Sequence, residues 1–255
     1  ATRGNDMAKM KGEGGMTTID ARQLDFRGLN ERIRSCRDDH VKIAHCLGQR
    51  YIGSGLSDKR LTVEGTPGNA LGAYLDGAAI EVHGNAQDAT GDTMNGGLIC
   101  IHGSSGDATG YAMRGGVILV EGNTGYRAGI HMKEYEDKRP VLVIGGEAGS
   151  FLGEYQAGGT IVVLGLQSDG RAPVGNFCGT GMHGGRIFLR CELPPENLPP
   201  QIAVSPATAE DMQDIEEILN AFCRAFGREK EEVLSCGFYV LTPNSKNPYK
   251  QLYTS

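Results

Sequence analysis

The chain has 255 residues, a formal net charge of −6 and 39 glycines. A net acidic chain without a basic stripe lacks the electrostatic footprint of a nucleic-acid-binding protein. The longest apolar runs have the length of strands and are too short to span a bilayer as helices. Residues 1–15 are polar and glycine-rich, which does not fit a signal peptide. We therefore expect a cytoplasmic protein that neither binds nucleic acid nor inserts into a membrane.

The N-terminal part predicts a flexible arm followed by a small cap. We expect residues 1–17 to form the arm and residues 18–60 to form a mixed α/β cap on the repeat that follows. Short strands are predicted at 18–21 and 42–45. Between them, Leu29 and Ile33 have the i, i+4 spacing of a helix, and Asp25 is a suitable N-cap.

A glycine-marked repeat occupies residues 61–192. Gly65, Gly84, Gly103 and Gly122 follow one another at steps of 19 residues. Each unit has a second glycine, then Leu or Met, then a third glycine that precedes a strand with alternating apolar residues. Such a fixed period is typical of repeat architectures.

The repeat continues through two insertions. The step from Gly122 to Gly146 is 24 residues long, and the extra residues fall around 133–137. The unit that begins at Gly165 is stretched at 167–174 and regains the pattern from Gly175. The segment 129–139 is dense in charge. Because loops that leave a rigid scaffold often carry function, it is either a partner-contact loop or a solvated excursion.

A parallel β-helix explains this repeat best. A unit of about 19 residues is too short for two packed helices, and its strand-forming half is rich in Ile and Val. Stacked coils hydrogen-bond to one another about 4.8 Å apart, and their inward apolar side chains form one continuous core. We therefore predict an all-β fold, a single-stranded parallel β-helix with coils of about 19 residues.

The segment 193–255 predicts a proline-rich linker, an amphipathic helix and an extended tail. Residues 208–226 place apolar side chains on one helical face. Thr208 can cap this helix, with Asp211 in a near capping box, and Gly227 can end it. The tail beyond the helix is expected to lie along another surface or a partner.

The patterns that resemble catalytic or ligand sites are weak. Residues 179–184 match G-x-G-x-x-G, but a strand is predicted after them, whereas a dinucleotide site needs a helix there. His83 and His102 are one repeat apart and should stack, with Glu121 extending the column. A polar ladder is favoured over a metal site because no third and fourth ligand can be placed.

The turn carboxylates Asp88, Asp92 and Asp107 are predicted to face water. The seven cysteines form no C-x-x-C pair, so neither disulfides nor a cluster is predicted.

Long strings within the repeat resemble a known family. They are 47–53 (LGQRYIG), 84–97 (GNAQDATGDTMNGG), 110–116 (GYAMRGG), 125–135 (GYRAGIHMKEY), 151–160 (FLGEYQAGGT) and 175–185 (GNFCGTGMHGG). They resemble the GXGXG repeat of the C-terminal domain of the glutamate synthase large subunit, here as a stand-alone chain. A related module forms one of the subunits of formylmethanofuran dehydrogenase. The resemblance implies a right-handed β-helix.

The resemblance also implies a role. The family's chemistry needs a glutaminase domain and a barrel synthase domain with FMN and an iron–sulfur cluster, and this chain contains neither domain. It therefore implies a non-catalytic scaffold subunit with no cofactor of its own, which positions those components and helps line an ammonia route between them. We predict no catalytic, cofactor or metal residues. The predicted contacts with flavin, iron–sulfur and glutaminase-type subunits are Arg50, Tyr51, His131, Lys133, Glu134, Tyr135 and Arg139.

Two other functions remain open. The chain could serve as an accessory β-helix subunit of another redox complex, either formylmethanofuran dehydrogenase-like or electron-transferring. It could also be a free-standing β-helix enzyme, which would need a pair of carboxylates on one exposed face. The identity of the partners separates the first two functions, and activity of the isolated chain would indicate the third.

Overall fold

In the computed structural model, which describes residues 15–244, eleven strands form one sheet in the order β1-β2-β3-β4-β5-β6-β7-β8-β9-β11-β10. The strands are β1 (Met16–Asp20), β2 (His40–Leu47), β3 (Arg60–Thr66), β4 (Asp76–His83), β5 (Gly96–Ile101), β6 (Val117–Val120), β7 (Val141–Ile144), β8 (Ala157–Val163), β9 (Gly184–Arg190), β10 (Ile202–Pro206) and β11 (Phe238–Pro243). The helices are α1 (Phe26–Ser35), α2 (Ala209–Phe226) and α3 (Lys230–Val233).

Strands β1 to β9 are stacked in sequence order, and every neighbouring pair among them is parallel. Ile80 pairs with Ile99, and Ile99 pairs with Ile118. Hydrogen bonds on the turn side join residues 19 apart in sequence, such as Ser104 to Asn85 and Asp107 to Asp88. The architecture is that of an all-β, β-helix-like fold, as the repeat predicts.

One apolar core runs through the stack, from Ile19 in the first strand to Leu241 in the last. The inward side chains form rows because the strands are in register. One row contains Leu61, Ile80, Ile99, Ile118, Leu142, Ile161 and Ile187. Each coil therefore buries its apolar face against its neighbours, which makes the stability of the stack cooperative.

The second glycine of each unit lies against this row. Gly91 has φ of +70°, and a Cβ built on it would overlap Cδ1 of Ile118. Gly110, one coil further, has φ of +72°, but its nearest neighbour, Cδ2 of Leu142, would lie 3.8 Å from such a Cβ. Glycine is needed at Gly91 for both its backbone conformation and the space, and at Gly110 for its conformation alone.

Helix α1 packs on the N-terminal coils. The Asp25 carboxylate accepts a hydrogen bond from the Gly28 N–H at 2.8 Å, which confirms the predicted N-cap. Leu29 and Ile33 are fully buried. The Asn30 amide donates to the Arg50 carbonyl at 3.2 Å, so the helix is joined to the first turn of the stack. Strand β1 begins at Met16, within the stretch predicted as an arm.

The outer face of the sheet changes character along the stack. One outward row reads Lys42, Thr62, Glu81, Cys100, Leu119, Val143, Val162 and Phe188. From Cys100 onward this row is buried in a second apolar cluster with residues of α2 and α3. The polar-to-apolar change therefore marks where α2 lies across the sheet.

Helix α2 has the predicted ends and the predicted apolar face. The Thr208 hydroxyl accepts from the Asp211 N–H, and the Asp211 carboxylate accepts from the Thr208 N–H, which completes a capping box. Gly227 ends the helix in the left-handed conformation. Ile215, Leu219 and Phe222 are buried on one face. Among the described residues, no helix is both long and apolar enough to cross a membrane.

The C-terminal segment also contributes strands. β11 pairs antiparallel with β9 on one side and with β10 on the other, so the sheet continues beyond the glycine repeat. Residues 179–184 lead into strand β9 rather than into a helix, in agreement with the argument against a dinucleotide site. The distal tail, 245–255, and the first part of the predicted arm, 1–14, lie outside the described residues.

Candidate partner interface

The predicted contact loop is a short hairpin that folds back on the coils. Tyr135 and Lys138 form an antiparallel bridge. The Lys138 ammonium lies 3.1 Å from the Asp76 carboxylate, and the Glu134 carboxylate accepts from the Gly159 N–H at 3.1 Å. The insertion is therefore attached to an earlier coil through Asp76 and to the next coil through Gly159.

The predicted contact residues of this loop nevertheless face solvent. Lys133, Glu134, Tyr135 and Arg139 are all exposed. The Arg114 guanidinium lies 6.0 Å from the centre of the Tyr135 ring, within the range of a cation–π interaction. These residues present charge and one aromatic ring to solvent from an anchored backbone.

Arg50 and Tyr51, the other predicted contact residues, are exposed beside α1. The Arg50 guanidinium lies 5.4 Å from the centre of the Phe26 ring, and the Tyr51 ring centre lies 6.0 Å from it. Both side chains therefore take part in packing α1 against the first turn. Their contribution to a partner interface stays a prediction.

His131 belongs to a ladder of rings on the turn side of the stack. Its ring is stacked on Tyr155 with centroids 5.2 Å apart and planes at 10°. Tyr111, one coil earlier, meets His131 edge to face at 5.9 Å. Stacking of this kind is worth about 0.5–1.5 kcal/mol per pair beyond burial.

A second ladder runs beside the first. The Arg127 guanidinium lies 5.0 Å from the centre of the Phe151 ring, which stacks on Phe177 at 4.9 Å. The Arg127 side chain also pairs with the Glu154 carboxylate at 3.0 Å, while the Glu154 carbonyl accepts from the His131 N–H at 2.9 Å. Glu154 thus joins the two ladders. We call the two ladders together the aromatic corner: Tyr111, His131, Tyr155, Arg127, Phe151 and Phe177.

The backbone of the aromatic corner is held in an unfavourable conformation. Five of its residues have positive φ: Arg127, His131, Phe151, Tyr155 and Phe177. This conformation costs an ordinary L-residue roughly 1–2 kcal/mol. Phe177 also remains 54% exposed, so burial compensates only part of its cost. The equivalent turn positions of the earlier coils, such as Ala89 and Ala108, also have positive φ. What distinguishes this surface is therefore its exposed aromatic side chains, which are a reason to look for function here.

Of the six residues of the aromatic corner, only His131 is predicted from the sequence as a contact residue. A constant period of 19 residues predicts the wrong stacking partners for His131, because the coil that contains His131 is longer than 19 residues. His131 lies one coil before Tyr155, as the His131 N–H to Glu154 carbonyl bond shows. Aligning the glycines across the insertion, from Gly129 to Gly153, would have revealed the ladder.

The turn carboxylates have structural partners. Asp88 accepts from the Asp107 N–H at 2.9 Å, and Asp107 accepts from the Tyr126 N–H at 2.8 Å. Asp92 accepts from the Thr93 hydroxyl at 2.8 Å. Each carboxylate thus satisfies a backbone or hydroxyl group on its own or the next coil. This arrangement stabilises the turns and does not resemble two carboxylates facing across a groove.

Burial makes four thiols poor nucleophiles. Desolvation raises the pKa of Cys46 and Cys191 to about 11 and that of Cys100 and Cys178 to about 12. The thiolate is the form that attacks electrophiles and binds metals, so these groups are inert at neutral pH. All seven cysteines are free, as the spacing predicts.

The stacked histidines form the cluster with metal-ligand chemistry. His83 and His102 lie 4.7 Å apart between ring centroids, with planes at 24°. Glu81, which sequence reasoning did not connect with them, places its carboxylate beside both rings. The predicted polar column therefore exists, and it has a third potential ligand.

Comparisons with known proteins match most of the chain. The model of the GXGXG motif family matches residues 29–241. An uncharacterized protein of Methanocaldococcus jannaschii, MJ1350, is 43% identical over 249 residues, which cover 92% of this chain and 95% of the relative. A chain in the X-ray crystal structure of the formyltransferase/hydrolase complex FhcABCD from Methylorubrum extorquens, in complex with methylofuran, superimposes with a TM-score of 0.59. That chain is 20% identical, and the match covers 87% of this chain and 88% of the other, a likeness of fold.

Proposed function

The chain belongs to the GXGXG motif family, and we propose that it works as an accessory, non-catalytic subunit of a glutamate-synthase-like redox complex. In this proposal FMN and the iron–sulfur cluster reside in a partner synthase subunit, and a glutaminase-type subunit supplies ammonia. The β-helix holds the two active sites at a fixed separation and helps line the ammonia route. Fixed geometry of this kind raises the rate of a transfer that depends on proximity.

The aromatic corner carries this proposal. Aromatic side chains and arginine are enriched where protein partners dock, because they bury large areas at low entropic cost. Here they stand on a backbone that the coil stack holds rigid, so docking would require little further ordering. We therefore assign the synthase subunit to the aromatic corner and to the adjacent residues Lys133, Glu134, Tyr135 and Arg139.

The flanking elements fit the role of caps. A β-helix exposes unpaired backbone groups at each end, and such edges invite aggregation. At one end, the edge strand is β1, and α1 follows it in the chain before β2. At the other end, β11 and β10 continue the sheet antiparallel to β9. We propose that both segments protect the stack, which leaves the turn side available to partners.

A second candidate function is that of an accessory subunit in a different redox complex. The observation that favours it is the fold likeness to a chain of the formyltransferase/hydrolase complex. Such a complex could use the same aromatic corner with other partners. A free-standing enzyme is disfavoured by the structural roles of the turn carboxylates.

The proposal is tested by reconstitution. The chain is mixed with a purified glutamate-synthase-type subunit that carries FMN and the iron–sulfur cluster, and the Kd is measured by biolayer interferometry. Removing two exposed rings of the aromatic corner, Tyr111→Ser with Phe177→Ser, should raise the Kd about 30-fold, the effect of losing roughly 2 kcal/mol at an interface hot spot. Leu47→Ser with Leu234→Ser removes two exposed apolar side chains outside the aromatic corner and should leave the Kd unchanged.

Two results separate the candidate functions. Binding with restored glutamine-dependent glutamate formation supports the nitrogen-transfer complex. No binding to that subunit, together with stable binding to formyltransferase/hydrolase-type subunits, would replace the first proposal with the second.

A further inference from the structure

The cluster of Glu81, His83 and His102 lies where the sheet leaves the cover of α2. Glu81 and His83 point outward from β4, and His102 follows directly after β5. The His102 N–H donates to the Val82 carbonyl at 3.0 Å, which keeps His102 in register beside His83. Parallel pairing thus holds the three side chains together by their backbones.

The donor atoms are at distances that one ion can span. The Glu81 Oε1 lies 3.0 Å from Nε2 of His102 and 3.8 Å from Nε2 of His83. One ligand atom from each of the three residues lies within 4.8 Å of the others. Two ligands of a tetrahedral ion with bonds of 2.0–2.1 Å are about 3.3 Å apart, so small rotations of the side chains are sufficient.

Two further charged residues lie beside His102. Its Nδ1 lies 4.0 Å from the Glu121 Oε2, and Arg228 holds the other oxygen of Glu121 at 3.0 Å. At this distance the Glu121 carboxylate would favour a bound cation through its charge rather than through a hydrogen bond to the ring. Nε2 of His102 lies on the side of Glu81 and His83.

The end of α2 forms a wall of the cluster. Phe226, the last residue of the helix, meets the His102 ring edge to face at 5.2 Å. The C-terminal end of a helix carries partial negative charge, which favours a nearby cation. The wall restricts His102, whereas the His83 side chain is 47% exposed and leaves one side of the cluster open to solvent.

We propose that Glu81, His83 and His102 bind one divalent first-row transition ion of the Zn²⁺ class. Two imidazoles and one carboxylate suit zinc, cobalt or nickel better than magnesium or calcium, which prefer oxygen ligands alone. The open side provides a fourth position for water or for a group from outside the chain. The site is independent of the proposed partner interface, since it lies on the sheet face rather than at the aromatic corner.

The test uses the full chain without a histidine tag, stripped with a chelator and dialysed. Zn²⁺ binding is measured by calorimetry, and Co²⁺ binding is followed by the visible absorption that a tetrahedral site produces. The wild type should bind one ion per chain. His83→Gln, His102→Gln and Glu81→Gln should each weaken binding by at least about 100-fold, because each substitution removes one ligand of the ion. Glu121→Gln removes a charge 4.0 Å from His102 and should weaken binding by at most about tenfold.

His131→Gln is the matched control, because it removes an exposed histidine from another face and should leave metal binding unchanged. Circular dichroism verifies that each variant is folded. The proposal is overturned if the wild type binds no more Zn²⁺ than His83→Gln, which would leave a polar ladder only. It is also overturned if His131→Gln weakens binding as much as His102→Gln does.

Discussion

Replacing Gly91 by alanine tests the stacking of the coils at a single atom. In the folded chain the added Cβ would overlap Cδ1 of Ile118, which belongs to the following coil. Gly110→Ala is the matched control, since Gly110 holds the equivalent position with nearly the same φ but has 3.8 Å of space. The two substitutions differ in the steric overlap and share the backbone strain.

The expected costs follow from these two terms. An L-residue in the left-handed conformation costs about 1–2 kcal/mol, which is the whole effect expected for Gly110→Ala. Overpacking a core destabilises the folded state by roughly a further 1–3 kcal/mol, and Gly91→Ala should therefore lower the free energy of unfolding by about 2–5 kcal/mol. The difference between the variants reports the contact with Ile118.

The assay is urea unfolding followed by circular dichroism, completed as a double-mutant cycle with Ile118→Val. The valine lacks Cδ1, and the nearest remaining side-chain atom would be Cγ1 at 3.4 Å from the added Cβ. In the Ile118→Val background, Gly91→Ala should therefore cost only about 1–2 kcal/mol. Equal costs at Gly91 and Gly110, or no coupling to Ile118, would refute the stacking of these coils.

Three further predictions concern the outer cluster, the helix cap and the thiols. Phe222→Ala should destabilise the chain by about 3–5 kcal/mol in thermal or urea unfolding, because the ring is fully buried between α2 and the sheet; a loss below about 1 kcal/mol would mean that α2 does not pack there. The Thr208 N–H and hydroxyl lower the pKa of Asp211 below its ordinary value of 3.8. At pH 7 the wild type should therefore have a larger free energy of unfolding than Asp211→Asn, and this difference should be lost as the pH falls through the lowered pKa. A difference that persists in acid would contradict the capping box. Cys36 and Cys236 should react first with a thiol reagent at pH 8, as judged by peptide mapping, and the buried thiols should react only on unfolding: Cys46, Cys100, Cys178 and Cys191.

The coil architecture could be predicted because it depends on local, repeated chemistry. The glycine steps place Ile80, Ile99 and Ile118 in one row, and the structure pairs them in that register. The ends of α2 could also be predicted from the sequence, since a capping box and a C-terminal glycine act within a few residues.

Other features depend on contacts that the sequence does not localise. The apolar outward row from Cys100 onward indicates that something covers the sheet there, but it does not identify α2, which follows later in the chain, as the packing partner. The approach of Glu81 to His102 depends on side-chain rotation between neighbouring strands. The ring ladders are hidden by the long coil, which shifts Tyr155 relative to the simple period.

The most direct test of the proposed function is hydroxyl-radical footprinting of the chain alone and in the reconstituted complex with the FMN and iron–sulfur subunit. We predict that complex formation protects Tyr111, Tyr135 and Phe177, while the exposed Leu234 near α3 stays equally reactive. Unchanged reactivity of the three rings in a complex that forms, or protection confined to Leu234, would contradict a partner interface at the aromatic corner.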